Sequence, residues 1–316
     1  MKTIPEAARF LREHDRYLIL THRRPDGDAV GSAAALCRAL RMIGKEADIF
    51  PNPQFTGRFG SMLDGLVGSG NPAGKTVISV DLPAENLLPY NAPGLAGRTV
   101  FAIDHHGSNS GYATENLVFP KAAACGEVIL SLLDELNVPL TLEIADALYV
   151  AISTDTGCFC FGNTTADTFR AGARCLDAGV NAAAWNRALF LTKTQARLHL
   201  EAYLTETAEF YANGTVCICT LPQNKLDELH ISEDEIDDIS GFPRDIAGVE
   251  IGAMLRDVAD GAKISLRTYE KLDASAVCRI MGGGGHKAAA GATVSGTIAD
   301  ARAALLNALI SCGIEL

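Results

Sequence analysis

Thr99-Val100-Phe101-Ala102-Ile103-Asp104-His105-His106 is a run of strand-forming residues that ends in a carboxylate and two imidazoles. The first five residues read as a buried strand. A core has no use for the three polar groups that follow, because burying them unpaired is costly. The pattern occurs twice more upstream. Tyr17-Leu18-Ile19-Leu20-Thr21 runs into His22 and then Pro25-Asp26-Gly27-Asp28-Ala29, and Thr76-Val77-Ile78-Ser79-Val80 runs into Asp81. In an open parallel sheet the carboxyl ends of the strands share one edge, and ligands bind there. The three strand ends therefore deliver His22, Asp26, Asp28, Asp81, His105 and His106 to one crevice, with oxygen and nitrogen donors enough for two metal ions.

Each piece has an ordinary alternative. Asp28 can cap a helix that begins at Ala29, Asp26 in Pro-Asp-Gly is common turn chemistry, and Asp81 before Leu82-Pro83 can be a loop residue. Their coincidence at three separate strand ends favours the metal reading. Hard carboxylates mixed with imidazoles, without thiolate, suit Mn²⁺, with Mg²⁺, Co²⁺ and Fe²⁺ as the other fitting ions.

The 316 residues predict two domains, and 48% hydrophobic composition is ample for two cores. Lys and Arg number 27 against 38 Asp and Glu, a net charge of -11. That excludes long nucleic acid as a stable partner, since affinity for a polyphosphate rail comes from many basic contacts. A small phosphorylated ligand met by a few local cations remains allowed. The nine cysteines are scattered and odd in number. Cys158-Phe159-Cys160 and Cys217-Ile218-Cys219 lack the C-x-x-C spacing of zinc or redox motifs, so the thiols read as reduced residues of a cytoplasmic protein. The opening MKTIPEAARFLREHDRY is interrupted by charge and reads as no signal peptide. No stretch approaches the ~18 apolar residues of a membrane span, so no membrane partner is expected.

Strands near 17–21, 46–50, 76–80 and 99–103 alternate with helices over 29–43, 123–137, 142–153 and 165–178. Asp155 falls just past the third helix. The alternation predicts an α/β fold, a mostly parallel sheet with helices on both faces. Residues 193–212 contain no Gly or Pro and read as one long helix connecting the domains. Strands over 215–220, 249–256 and 262–268, with helices over 273–281 and 297–310, predict a smaller mixed α/β domain. The expected boundaries are 1–190, a helical connector at 191–212, and 213–316. The acidic run Glu233 to Asp238 reads as a solvated helix face. Gly282 to Gly285 read either as a hinge or as a nest of unobstructed N–H groups suited to an anion. Lys263, Arg267, His286 and Lys287 bring cations to the same domain, and Arg267, at a strand end, is the choice for a bidentate phosphate clamp.

His22-x-x-Pro25-Asp26-Gly27-Asp28-Ala29-x-Gly31-Ser32, then Asp81, Asp104-His105-His106 and Thr154-Asp155-Thr156-Gly157, resemble in order and spacing the signature of the DHH phosphoesterase superfamily. Gly282-Gly283-Gly284-Gly285-His286-x-x-Ala289-Ala290-Gly291 resembles the motif of the DHHA1 domain that accompanies it. The resemblance spans residues 15 to 295. A two-domain chain of this length is similar to the nano-RNase / pAp-phosphatase group.

The resemblance implies that His22 and Asp26 hold one ion and Asp28 and His105 the other, with Asp81 bridging and Asp155 completing the set on either ion. It implies catalytic positions for Asp104 and His106. His106 would orient water, protonate the leaving oxygen or contact phosphate, and Asp104 would orient a histidine. Arg267, Gly283, Gly284, Gly285 and His286 would contact substrate from the second domain, closing over metals held by the first. Two divalent ions about 3.5–4 Å apart clamp the attacking and leaving oxygens of a phosphoryl displacement. The implied activity is hydrolysis of short oligoribonucleotides, together with removal of the 3′-phosphate of 3′-phosphoadenosine 5′-phosphate (pAp). The nearest alternative keeps the fold and takes cyclic di-AMP or linear pApA. A manganese pyrophosphatase lacks a Gly-Gly-Gly-Gly-His element, a RecJ-like exonuclease is longer and more basic, and a nucleotide sensor without turnover should have lost ligands. A homodimer is compatible with the sequence. Cys158 and Cys160 depart from the expected pattern, standing where harder or bulkier side chains belong.

Overall fold

A computed structural model describes residues 1–232, 235–236, 238–269, 272–285 and 287–316 of the protein. The chain divides into two units, Met1–Thr192 and Lys193–Leu316.

In the first unit β1 (Tyr17–Leu20), β2 (Ala47–Ile49), β3 (Thr76–Val80), β4 (Phe101–Asp104) and β5 (Glu115–Val118) form one sheet, in the order β2-β1-β3-β4-β5. All pairs are parallel. β1 and β4 are buried at every position, which is why they read as unbroken apolar runs rather than alternating ones. β5 has no such run; its half-buried Glu115, Asn116 and Val118 surround a buried Leu117, complete the edge and gave no signal in sequence. The order changes direction between β1 and β3, so their carboxyl ends flank the crevice of an open sheet.

One face of the sheet packs Tyr17, Ile19, Ile78, Val80, Phe101 and Ile103 against the helices. These are α1 (Ile4–Glu13), α2 (Gly27–Met42), α3 (Cys125–Leu136), α4 (Leu142–Asp155), α5 (Ala166–Asp177) and the short α6 (Ala182–Asn186). The other face departs from expectation. Leu18, Leu20 and Val77 are covered by Leu82, Leu88, Ala92 and Leu95, from a segment of short 3₁₀ turns. Pro83, Pro89 and Pro93 punctuate that segment, and prolines so spaced bar a continuous helix.

α2 lies against α4 with almost no clearance. A Cβ on Gly31 would come within 2.3 Å of the Ala147 carbonyl, and one on Gly27 within 2.4 Å of Thr154 Oγ1. The small residues of α2 thus serve a helix–helix contact that sets Asp28 near Asp155, which is the last residue of α4 rather than a residue beyond it.

In the second unit α7 (Gln195–Glu206) is followed by β6 (Glu209–Tyr211), β7 (Val216–Leu221), α8 (Gln223–Leu229), β8 (Ile251–Val258), β9 (Gly261–Thr268), α9 (Ala274–Ile280), β10 (Gly284–Gly285), β11 (Ala289–Val294) and α10 (Ile298–Ser311). The sheet order is β10-β11-β9-β8-β7-β6. Only β7–β8 is parallel, so the sheet is mixed. The expected single helix over 193–212 stops at Glu206. Phe210 and Tyr211 pair with Cys217 and Val216 instead, through a turn in which Ala212, Asn213 and Gly214 all take positive φ. Leu200 and Leu204 of α7 pack on Cys217, Cys219 and Met254, so the helix shares a core with the second sheet. α9 and α10 cover the opposite face.

Of the acidic run, Glu233, Asp234 and Asp237 lie outside the described residues; Asp238 pairs with Arg197 at 2.7 Å. All nine cysteines are free thiols. Among the described residues no helix is long and apolar enough to cross a membrane.

Candidate metal centre

Three loops leaving the carboxyl ends of β1, β3 and β4 meet the start of α2 and the end of α4. The side chains sort into three overlapping groups, one of which joins Asp81 and His105 to His106, whose Nδ1 is 3.4 Å from Asp81 Oδ1. His22, Asp26 and Asp81 form the second; Asp28, His105 and Asp155 form the third. In the second, His22 Nε2 stands 3.8 Å from Asp26 Oδ1 and 3.7 Å from Asp81 Oδ2. In the third, His105 Nε2 is 3.7 Å from Asp28 Oδ2 and 3.5 Å from Asp155 Oδ2. Asp81 faces both, because its Oδ1 lies 3.5 Å from His105 Nε2. These separations exceed ordinary hydrogen bonds. They are the spacing of donors gathered around a common centre.

Local structure fixes most of these donors. Asp26 is the N-cap of α2, accepting from the N–H groups of Asp28 and Ala29, both at 3.1 Å. The cap that was the alternative reading of Asp28 therefore belongs to Asp26. Asp28 is buried and holds a different helix. It accepts from Cys125 N at 2.6 Å, Gly126 N at 3.0 Å and Ser32 Oγ at 2.9 Å. The N-cap of α3 is Ala124, which offers no capping side chain, so the carboxylate of α2 satisfies the free N–H groups of α3. Asp81 has φ +52, left-handed for a residue with a Cβ, a conformation that asparagine and aspartate tolerate best and that clusters at functional sites. The Ala122 carbonyl, 3.1 Å away, accepts from His105 Nδ1–H and leaves the Nε2 lone pair facing the carboxylates.

Asp104 stands where an orienting carboxylate was expected, beside His106. It is fully buried, and both its oxygens are engaged. Oδ1 accepts from His105 N at 2.8 Å, His106 N at 3.2 Å and His106 Nδ1 at 2.8 Å, while Oδ2 accepts from Asn109 Nδ2 at 2.6 Å. A carboxylate so enclosed shapes the loop and orients His106; it is a positioning residue, not one that meets a substrate.

The electrostatics demand positive charge. Burial and the neighbouring Asp81, Asp155 and Asp26 push the Asp28 carboxyl well above its usual range. Burial, with Asp26 and Asp81, raises Asp155 to about 7 against the pull of His105. Burial alone would lower His105, yet Asp81, Asp28 and Asp155 raise it to about 11. Protons here take the place that cations would fill. Asp81 Oδ1 is buried and accepts no hydrogen bond, a costly state for a carboxylate oxygen unless a cation meets it. The donor set, its spacing and that orphaned oxygen fit divalent metal.

Arg267 lies on β9, paired in register with Gly252 on one side and Ala289 on the other. The glycines do not form the expected free nest. Gly282 N and Gly283 N donate to the Arg279 and Cys278 carbonyls at the end of α9, at 3.0 and 2.8 Å. Gly284 and Gly285 pair with Gly291 and Ala290 as a two-residue strand. A Cβ on Gly283 would come within 2.1 Å of the Gly291 carbonyl, so glycine is required for close packing. His286 lies outside the described residues.

Sequence reasoning missed the Cys125–Gly126 N–H pair and the Ala122 carbonyl. The first had a signal: a helix starting at Ala124-Cys125-Gly126 has no capping side chain, and must find its acceptor elsewhere.

Residues 16–152 match the DHH family, N-terminal domain, and residues 213–312 match the DHHA1 domain. A relative from Thermus thermophilus, named bifunctional oligoribonuclease and PAP phosphatase NrnA, is 34% identical over 284 residues, covering 89% of this chain and 85% of its own. A protein of the same name from Bacillus subtilis is 24% identical over 301 residues, 93% of each chain. The fold is that of an exopolyphosphatase-related protein from Bacteroides fragilis, with a TM-score of 0.87 at 21% identity over 98% of this chain and 95% of that one. Two domain families matched in chain order, and a relative at this identity over most of both chains, carry one conclusion: the chain belongs to the DHH/DHHA1 phosphoesterase superfamily, in its oligoribonuclease/pAp-phosphatase group.

Proposed function

We propose that this chain is a divalent-metal-dependent phosphoesterase that hydrolyses short oligoribonucleotides to mononucleotides and dephosphorylates pAp to AMP. The observation that carries the reading is Asp81. Its two oxygens face two separate Asp/His groups, 3.7 Å from His22 and 3.5 Å from His105, and one oxygen is buried without a hydrogen bond. His22 and Asp26 would hold one ion, Asp28, His105 and Asp155 the other, with Asp81 shared. Mn²⁺ suits this oxygen-and-nitrogen set. When bound, two such ions supply the positive charge that a phosphoryl displacement develops against.

The chain's own residues do the rest. Asp104 holds His106 through Nδ1, so Nε2 is the nitrogen that would give a proton to a leaving oxygen. Arg267 supplies a planar pair of donors for phosphate. Gly283, Gly284 and Gly285 would serve substrate by letting the backbone pack closely beside His286 and not as a nest of free N–H groups, and residues 1–190 would form the catalytic domain with 213–316 binding substrate. A cytoplasmic location fits a substrate drawn from RNA turnover.

The test is hydrolysis of pApA, pAp, a two-to-five-nucleotide series and cyclic di-AMP by the whole protein, with Mn²⁺ and with EDTA. Turnover of the short linear substrates and pAp that EDTA abolishes is the expected result. No turnover with Mn²⁺, Mg²⁺ or Co²⁺ would overturn the proposal, and a clear preference for cyclic di-AMP would replace its substrate.

A further inference from the structure

Arg23 directly follows His22 in the chain, so its Cα lies ~3.8 Å from that of a candidate metal ligand. Its guanidinium lies over the Tyr90 ring, 5.4 Å from the centroid. Among the described residues that guanidinium makes no ion pair and no hydrogen bond. Tyr90 remains 63% exposed, so the ring offers most of its surface to solvent. A lone exposed aromatic needs no explanation. One that carries an otherwise unpaired guanidinium, beside a metal ligand, presents two flat surfaces at the rim of the centre.

The fold fixes this pair against the ligand loop. Arg23 N donates to the Leu87 carbonyl at 2.7 Å. The buried Asn52 donates through Nδ2 to the His22 carbonyl at 3.0 Å, and Asn91, next to Tyr90, donates through Nδ2 to the Pro51 carbonyl at 2.7 Å. Leu88 and Ala92, on either side of Tyr90, are buried in one cluster with Leu18 and Leu20 of β1. The segment of 3₁₀ turns is thus anchored before and after Tyr90 and turns that ring outward. Unstacked RNA bases are held on aromatic rings and on guanidinium planes. Such stacking tolerates every base, because each has a π-face.

We infer that Arg23 and Tyr90 form a stacking platform for a nucleobase of the substrate, on the unit that carries the metal ligands. The inference rests on the proposed phosphoesterase reading and deepens it, since it names a part of the substrate other than phosphate that this unit grips. Stacking uses the face of the base and leaves its hydrogen-bonding edge unread, which suits hydrolysis of short RNA of any sequence. Leu87 and Asn91 act as positioning residues, because they hold the loop of Arg23 and the segment of Tyr90 in place.

The experiment measures kcat/KM on pApA and on its two abasic forms, in which the first or the second adenine is replaced by hydrogen. It uses the whole protein with Mn²⁺, as wild type, Tyr90→Ala, Tyr90→Phe and Arg23→Ala. Wild type should lose about fivefold or more when one of the two adenines is removed. Tyr90→Ala should lose about as much on intact pApA and nothing further when that same adenine is removed, because the base has already lost its partner. Tyr90→Phe keeps the ring and should stay within about twofold of wild type. Arg23→Ala should follow the pattern of Tyr90→Ala with a smaller loss. Titration with 2-aminopurine riboside 5′-monophosphate in Mg²⁺ reads the platform without turnover: wild type and Tyr90→Phe should quench its emission, and Tyr90→Ala should not. A Tyr90→Ala variant that keeps wild-type kcat/KM on pApA, or that loses as much on both abasic forms as on pApA, overturns the inference and leaves the phosphoesterase reading standing. A wild type that quenches the probe through Tyr90 but hydrolyses none of the substrates keeps the inference and overturns that reading.

Discussion

Asp28 and Cys125 stand 97 residues apart in the chain, yet Asp28 Oδ2 accepts the Cys125 backbone N–H at 2.6 Å. The contact ties a candidate metal ligand to the start of α3, so one carboxylate serves both the centre and the fold.

Asp28→Ala should therefore destabilise the metal-free protein. Two backbone N–H groups and the Ser32 hydroxyl lose their acceptor in a buried site, at a cost of about 1–3 kcal/mol. Asp28→Asn keeps an acceptor oxygen and removes like-charge repulsion, so it should cost less. Urea unfolding in EDTA measures both, and an asparagine variant as unstable as the alanine one would refute the capping role.

Asp81→Gly separates charge from conformation. Glycine takes the φ of +52 at no steric cost, so metal-free stability should be equal or higher than in wild type. Turnover should fall below about a tenth, because both ions lose a shared ligand. Retained turnover above that level in saturating Mn²⁺ would count against the bridging role.

Asp104→Asn should leave the metals in place and slow the reaction by about 10–100-fold, the usual penalty for removing an orienting carboxylate. Metal content by mass spectrometry and kcat should thus diverge. A parallel loss of metal would show that Asp104 acts through the ligands instead of through His106.

Without metal, stability should fall as pH rises from 5 to 9. Asp155 titrates at about 7 in the folded protein against 3.8 ordinarily, and His22 and His105 at about 8 and about 11 against 6.5. A group whose folded pKa lies above its unfolded value binds its proton more tightly when folded, and that stabilisation is lost as pH climbs from the unfolded value to the folded one. The window runs from 3.8 to 7 for Asp155 and upward from 6.5 for the histidines. Asp26, lowered to about 2, works in the opposite sense only below this range. Melting curves in EDTA at pH 5, 7 and 9 check the slope, which Mn²⁺ should flatten; a rise in Tm across that series would contradict the charge arrangement.

Substrate preference should fall with length. A net charge of -11 offers no basic track, so substrates of roughly two to five nucleotides should lead in kcat/KM over those beyond ~20. Equal rates on a dinucleotide and a 24-mer would exclude the proposed preference.

The sequence by itself determined what depends on local chemistry. Buried strands ending in Asp81 and in Asp104-His105-His106 were legible because an apolar run cannot absorb polar groups without a reason. The turn at Pro25-Asp26-Gly27 and the small-residue α2 were legible from their composition. The resemblance implied which donors pair, and only the tertiary structure decided the contacts that bring them together, including the place of Asp155. The strand order places the change of direction between β1 and β3, and the Gly31–Ala147 contact of α2 with α4 sets Asp155 beside Asp28 and His105. Such pairings come from helix packing and sheet order, which no local pattern encodes. For the same reason the sequence left Asp28 open between a helix cap and a metal ligand. A carboxylate's role is set by the donors that reach it, and those came from Cys125 and Gly126, visible only once the chain had folded.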